Sequence, residues 1–153
     1  MYRGRPIAGG ITAQGIGENH ALTEQLEQAI RSIFVAKVYP GMQGDQLIAL
    51  INSGVRYFIL ELFDTGTASL RETPFSLRKA FEYGQEHGVL FFCTSQQEGT
   101  VDFSEYVTGH ELWKEGAIPM GPLTTETVFT RLVATQLMAE SNDELVKHME
   151  ASL

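Results

Sequence analysis

The chain has 153 residues, 43% hydrophobic and 20% charged, a balance typical of one globular domain and not of a disordered chain. Its 11 Lys and Arg residues are outnumbered by 19 Asp and Glu residues, and the net charge of -8 disfavours nucleic acid as a partner. No apolar run approaches the roughly 20 residues that cross a bilayer, and no secretory signal opens the chain, so we expect no membrane association and a cytoplasmic location.

The elements follow from the N-terminus onward. Residues 1–20 carry five glycines and no sustained period, which predicts a loop or extended arm acting as a linker to a domain over 21–153. Helical spacing of apolar residues then predicts a first helix over 21–32. Short apolar runs predict four strands, at 33–39, 56–63, 89–95 and 117–120. Further helical patterns fall between and after them, at 45–54, 74–88, 109–116, 124–140 and 142–151.

This alternation of strand and helix predicts the fold class. Strands separated by helices form a mostly parallel sheet, because each crossover returns the chain to the same edge. The predicted strands are continuous apolar runs, as expected for strands covered on both sides. We therefore predict an α/β three-layer sandwich, Rossmann-like, with a small, mostly parallel four-stranded sheet and helices on both faces.

Cysteine and histidine usage gives no sign of metal or redox chemistry. Cys93 is the only cysteine, which excludes an internal disulfide, and its place in a predicted strand indicates a buried, unreactive thiol. No histidine has a metal-ligand spacing to another His, Cys or acid. We predict surface or helix-end positions for His20, His87, His110 and His148. No metal and no other cofactor is expected.

The tripeptide Asp64-Thr65-Gly66, after the second predicted strand, matches the one in which aspartic proteases present their catalytic carboxylate. Those enzymes are all-β and bring two such loops together, so that two carboxylates share one proton. This chain has one such loop, and about half of its body predicts helix. A dimeric aspartic protease using Asp64 is therefore a remote alternative.

Polar residues follow the second and third predicted strands and are the candidate ligand-binding residues. In open α/β sheets, ligands bind at the carboxyl ends of the strands, where these residues should meet. They are Asp64, Thr65, Gly66, Thr67, Thr94, Ser95 and Gln96. Their carboxylate, hydroxyl and amide groups carry no positive charge and suit a small amine or amino acid. The alternative, that they are solvated turn residues with Asp64 capping its own loop, is favoured by the sequence alone.

An ordered series of short motifs extends over most of the chain. It comprises Tyr-Pro-Gly at 39–41, Leu-Glu at 60–61, Thr-Ser-Gln at 94–96, Gly-Thr-Val-Asp at 99–102, Ala-Ile-Pro at 117–119 and Thr-Thr-Glu at 124–126. In this order, over roughly residues 34–150, the series resembles the C-terminal domain of the bacterial type I, cytoplasmic L-asparaginases. It is similar also to the D subunit of the archaeal glutamyl-tRNA amidotransferase. The resemblance implies an α/β domain of an amidohydrolase family.

The resemblance also implies that the catalytic residues lie elsewhere. In asparaginases the nucleophilic Thr and its partners occupy Gly-Gly-Thr-Ile and His-Gly-Thr-Asp-Thr motifs of the larger N-terminal domain. Nothing here matches the second motif. Gly-Gly-Ile-Thr at 9–12 resembles the first with two letters exchanged, but no predicted strand precedes it, so we treat Thr12 as coincidental. We therefore expect no catalytic residue in this chain, and a domain that forms a homo-oligomer or joins a separate catalytic asparaginase-like domain.

Two departures from the family bear on ligand binding. Thr67 stands where many members have an Asn that reaches toward the active site of the neighbouring protomer. Type I enzymes can also bind asparagine at an effector site, through an Arg in the second strand and a Cys after the third. The matching positions are Glu61 and Gln96, so the cation that would bind a carboxylate is missing. A free-standing module that binds a small amine or amino acid is thus the alternative to the assembly role.

Overall fold

A computed structural model describes residues 13–63, 66, 68–71, 73–97, 99–104 and 107–151, with the backbone alone over 13–19. Its strands are β1 (Ile33–Lys37), β2 (Tyr57–Leu62), β3 (Leu90–Ser95) and β4 (Ala117–Pro119). Its helices are α1 (Ala13–Arg31), α2 (Gly44–Asn52), α3 (Arg78–Glu86), α4 (Val107–Lys114), α5 (Thr125–Gln136) and α6 (Asn142–Glu150).

The four strands form one parallel sheet in the spatial order β1-β2-β3-β4. The central strands are buried on both sides, and Phe58, Ile59 and Leu60 of β2 have no exposed surface. This explains why the sequence shows continuous apolar runs, since neither side of β2 faces water. The predicted parallel sheet is confirmed.

Helices cover both sides of this sheet. Because spatial order equals chain order and crossovers are right-handed, α2, α3 and α4 pack on one side, called here the first face. Its core includes the stacked rings of Phe58 and Phe91, whose centroids are 5.2 Å apart. Helices α1, α5 and α6 supply the core of the second face, through residues such as Ala29, Leu132 and Met149. The predicted α/β three-layer sandwich is therefore confirmed.

Two helices, α1 and α3, begin four or more residues away from their predicted starts. Helix α1 begins at Ala13 and runs unbroken past Ala21, so residues 13–20 are helical and the prediction of a loop there was wrong. Gly15 and Gly17 made a helix look unfavourable in this segment, since each Gly costs about 1 kcal/mol relative to Ala in a helix. Once a helix has formed, however, each added residue extends it without a new nucleation cost.

Helix α3 begins at Arg78, four residues after the predicted start at Pro74. The hydroxyl of Thr73 accepts the N–H of Phe75, and the hydroxyl of Ser76 accepts the N–H of Arg78. Such local bonds give the backbone an alternative to the helix, which delays its start.

The single cysteine and the histidines lie where the sequence predicts. Cys93 has no exposed surface, and its burial raises the pKa of its thiol far above the usual value. The four histidines are exposed. No group of three or more metal-ligating side chains occurs within the described residues. None of the described helices is long and apolar enough to cross a membrane.

Candidate ligand-binding site

Three elements converge at the carboxyl edge of the sheet. In the register of the parallel strands, Glu61 at the end of β2 lies beside Lys37 of β1 and Thr94 of β3. The first turn of α5 reaches the same edge, because Thr125 bonds to Glu61. The site thus combines the ends of buried strands with the N-terminus of a helix, the usual position of a ligand cleft in such sheets.

A chain of hydroxyl groups holds the Glu61 carboxylate. Thr125 Oγ1 donates to Glu61 Oε1 over 2.8 Å, and Thr94 Oγ1 lies 2.9 Å from Thr125 Oγ1. A hydroxyl has one proton, and that of Thr125 goes to Glu61, so Thr94 must donate to Thr125. Thr94 is fully buried, so the inner end of this series of hydroxyl groups is fixed in position. The carboxylate is therefore held in one orientation at the rim of the cleft.

Gln96 joins three strands behind this carboxylate. Its Nε2 donates to the carbonyl oxygen of Val38 over 2.5 Å and to that of Glu61 over 2.8 Å. Its backbone N–H donates to the carbonyl oxygen of Leu62 over 3.0 Å. Both protons of the amide group are thereby used on the ends of β1 and β2. Gln96 therefore acts as a clip that fixes the sheet edge rather than as a free donor to a ligand.

A cleft of about 370 Å³ opens above these groups. Its described lining is Glu61, Ser95, Gln96, Gln97, Gly99, Pro122, Leu123, Thr124, Thr125 and Glu126. That lining holds two carboxylates and no Lys or Arg. Bonds from its own backbone N–H and from the Thr124 hydroxyl lower the pKa of Glu126, so it stays charged at neutral pH. The cleft therefore favours a cationic group over an anionic one.

Of the loop after β2, the structure describes residues 63, 66, 68–71 and 73–77. Gly66 has a φ of +121°, a conformation that residues with a side chain rarely adopt, and a Cβ there would lie 2.9 Å from atoms of Val101 and Phe103. The loop thus packs against the segment that follows β3. Asp64, Thr65 and Thr67 lie outside the described residues, as does Thr12. Their predicted roles stay predictions.

Of the other predicted site residues, Thr94, Ser95 and Gln96 do meet at the carboxyl edge, together with Glu61. The sequence analysis missed Thr124, Thr125 and Glu126 as site residues. A signal for them was present: a Thr followed by an acid in the first turn is a helix start, and Thr124 does cap α5 by accepting the N–H of Thr127. A helix that follows a parallel strand begins at the carboxyl edge.

Comparison with known proteins identifies related chains. Residues 32–149 match the sequence model of the glutaminase/asparaginase C-terminal domain. The D subunit of the glutamyl-tRNA(Gln) amidotransferase of Sulfolobus acidocaldarius is 34% identical over 112 residues, which cover 72% of this chain and 24% of the relative. The corresponding protein of Pyrococcus furiosus is 31% identical over 121 residues, which cover 78% of this chain and 25% of the relative. The chain therefore spans about a quarter of the length of these relatives.

Two solved structures share the fold. The thermostable L-asparaginase from Thermococcus kodakarensis superposes with a TM-score of 0.70 at 23% identity, over 78% of this chain and 35% of that one. L-asparaginase I from Vibrio cholerae gives a TM-score of 0.68 at 25% identity, with the same coverage. Helix α1 precedes the residues that the family model matches.

Proposed function

This chain belongs to the glutaminase/asparaginase C-terminal domain family, and we propose on that basis that it is non-catalytic alone and assembles with a catalytic asparaginase-type amidohydrolase domain. The observation that carries the proposal is the family match itself, which covers residues 32–149 and is a match to a C-terminal domain. Amide hydrolysis by this type of chemistry needs a hydroxyl that is open to the substrate and beside a base. Thr94 is fully buried, and Thr125 donates its proton to Glu61 while accepting the proton of Thr94. Thr94 is therefore closed to a substrate, and Thr125 is the hydroxyl that the test below must exclude.

The described cleft also holds no histidine or lysine that could move a proton between a nucleophile and a leaving amine. The relatives also support a domain that is non-catalytic alone, because their name denotes one subunit of an amidotransferase. The aligned part is about a quarter of that subunit. An assembly role for this domain is consistent with both observations.

Ammonia release from L-asparagine and L-glutamine at neutral pH tests the first half of the proposal. The purified chain, shown to be folded by circular dichroism and a cooperative melt, should release no ammonia above a blank. Release that scales with protein concentration and disappears in Thr125→Val would overturn the proposal. The Thr130→Val variant is the matched control, because Thr130 lies on the same helix and bonds only to the Glu126 carbonyl among its described contacts.

Binding to a catalytic domain tests the second half. The N-terminal domains of the two L-asparaginases with this fold, each produced without its own C-terminal domain, serve as probes. We expect light scattering to detect a complex with at least one of them and ammonia release to rise on mixing. If neither domain binds and neither gains activity, the assembly role is wrong.

A second candidate function is binding of a small amine, and it is favoured by the charge of the cleft. Glu61 is held rigidly by Thr125, and Glu126 adds a second negative charge on the described lining. An ammonium group would gain two carboxylates and the edge hydroxyls as partners. The carboxylate of an amino acid would meet no described cation, so we expect a simple amine to bind more tightly than L-asparagine does.

Isothermal titration with ethylamine, 1,4-diaminobutane and L-asparagine tests this candidate. Glu61→Gln keeps the shape but removes the charge, and should weaken amine binding at least tenfold. Glu86→Gln, on the exposed end of α3, is the control and should leave it unchanged. Equal binding by both variants, or no binding of any amine, would exclude amine recognition at this cleft.

We also propose a cytoplasmic location. The lone cysteine is buried and needs no oxidising compartment. Fractionation of the source cells, with the protein recovered outside the cytoplasmic fraction, would contradict this.

A further inference from the structure

A second groove lies at the amino edge of the sheet, where the strands begin, and is called here the amino-edge groove. It has a volume of about 390 Å³. Helices α1 and α5 end there, and β2 begins there. A space of this size holds a small molecule rather than a folded partner. Its described lining is Gln25, Gln28, Ala29, Ser32, Arg56, Tyr57, Gln136 and Leu137.

The charge of the amino-edge groove is opposite to that of the cleft at the carboxyl edge. Its described lining has one cation, Arg56, and no acid. Burial raises the pKa of Tyr57, so this phenol stays neutral and adds no negative charge. Salt screens charges that lie more than about 8 Å away. The groups on the lining therefore influence the charge of a ligand more than the net charge of the chain does.

The Arg56 side chain is fixed in place and only partly used. Its Nη1 donates to the carbonyl oxygens of Ile51 over 3.1 Å and Val55 over 3.0 Å, which caps the end of α2. These two bonds use both protons of Nη1 and leave those of Nε and Nη2. No acid forms an ion pair with Arg56 among the described residues. The edge formed by Nε and Nη2 has the two parallel N–H groups that bind a carboxylate.

The helix ends at this edge would repel an anion if their carbonyl groups were free. The carbonyl oxygen of Ala29, at the end of α1, accepts the backbone N–H of Ser32 and the side-chain amide of Gln136, both over 3.3 Å. That of Ile51 accepts from Arg56. These carbonyl groups already have donors, which reduces their repulsion of an anion.

Neutral amides occupy the part of the lining that α1 contributes. Gln25 and Gln28 are three residues apart on α1, so they share one side of the helix. Both are exposed. An amide group both donates and accepts, and so matches a neutral polar group on a ligand.

We propose that the amino-edge groove binds a short monocarboxylate with a neutral polar tail. The carboxylate accepts two parallel bonds from Nε and Nη2 of Arg56, and the tail lies against the side chains of Gln25 and Gln28. A single negative charge matches the single cation, whereas a phosphate group carries about -1.5 to -2 at pH 7. The ammonium group of an amino acid would meet no acid on the described lining. The site is separate from the cleft and independent of assembly with a catalytic domain.

Isothermal titration of the full chain tests the class of ligand. Succinamate, which has one carboxylate and one amide, should bind more tightly than propionate, which lacks the amide, and phosphate should bind most weakly. No succinamate binding at about 10 mM, well above a millimolar dissociation constant, would overturn the proposal. Tighter binding of phosphate than of succinamate would also overturn it.

Variants of Arg56 test the contact. Arg56→Gln should weaken succinamate binding by at least about tenfold, since the charge is lost. Arg56→Lys keeps the charge but not the two parallel N–H groups, and should also bind more weakly than the unmodified chain. Arg131→Gln is the matched control, because Arg131 donates to the Met149 carbonyl and does not line the groove. Equal affinities of the Arg56 variants and this control would overturn the proposal.

A second variant separates ligand binding from stability, because Arg56 also caps α2. Gln28→Glu places a carboxylate on the lining at an exposed position, and should weaken succinamate binding by about fivefold or more by repelling the ligand. Thr130→Glu adds the same charge on α5 outside the groove and is the control. A cooperative melt shows that both variants are folded. If they bind succinamate equally well, the ligand does not occupy the groove and the proposal is wrong.

Discussion

The carboxyl edge of the sheet and helix α1 differ in chemistry and in how fully their groups are partnered. At the edge, the Thr94, Thr125 and Gln96 side chains are engaged with one another, with Glu61 or with backbone carbonyls. On α1, Ala29 is buried, whereas Leu22, Leu26 and Ile30 are 53%, 38% and 43% exposed. The edge lies within the family match, whereas the helix precedes it. This contrast indicates that the family fold builds a polar cleft whose groups are already partnered, whereas the helix before it leaves apolar surface in contact with water.

The largest effect should come from the core that supports both regions. The ring of Phe91 packs between Phe58 and Phe81, at centroid distances of 5.2 and 4.5 Å. Phe91→Ala should lower the free energy of unfolding by about 3–5 kcal/mol, because it leaves a cavity in a filled core. Urea denaturation measures this. Phe34→Ala, at a partly exposed ring, is the control and should cost far less. Similar losses in the free energy of unfolding for Phe91→Ala and Phe34→Ala would mean that the core is not close-packed.

Removing the clip at the polar edge should have the next largest effect. Gln96→Leu leaves the carbonyl oxygen of Val38 and that of Glu61 without their side-chain donor. We expect a loss of about 1–3 kcal/mol in the free energy of unfolding, the usual result of unpairing part-buried polar groups. Chemical denaturation gives the value. Gln97→Leu is the neighbouring control, because its side chain is exposed and should tolerate the change. A neutral Gln96→Leu would show that the edge does not depend on the clip.

A smaller effect is expected at the start of α5, where the cleft meets the helix cap. Thr124→Ala removes the hydroxyl that accepts the N–H of Thr127, and should cost about 1 kcal/mol. Thr124→Ser keeps an accepting hydroxyl and should restore most of the stability in a thermal melt. If Thr124→Ala and Thr124→Ser melt at the same temperature, the capping hydroxyl contributes nothing to stability.

The smallest effect should be on α1. Leu22→Ser should change the free energy of unfolding by no more than about 0.5 kcal/mol, because the side chain is already half exposed. Ala29→Asp, on the buried position of the same helix, should cost clearly more, since it buries a charge. A large loss from Leu22→Ser would show that this side chain contributes to the core of the second face.

The fold could be predicted because its signals are local and repeated. Apolar runs such as 56–63 lie between helical patterns, and each such unit permits few arrangements. Helix α1 was harder, because Gly15 and Gly17 weaken the pattern without preventing extension of a helix that begins nearby.

The site could be predicted only in part, since it depends on contacts between distant residues. The rule for parallel sheets led to Thr94 and Gln96 directly. The hydrogen bond between Thr125 and Glu61 joins residues 64 positions apart, and no local sequence pattern predicts such a pair. The use of the Gln96 protons on backbone carbonyls likewise depends on the register of three strands.

The order of the strands leaves the sheet with two unlike borders. At one, β4 has three residues and ends in Pro119, which has no N–H to offer an incoming chain. At the other, β1 has five residues, with Phe34 and Val35 partly exposed, and is guarded by Lys37 at its end and by its contact with α1. Aggregation on heating should therefore begin at β1, once its contact with α1 is lost.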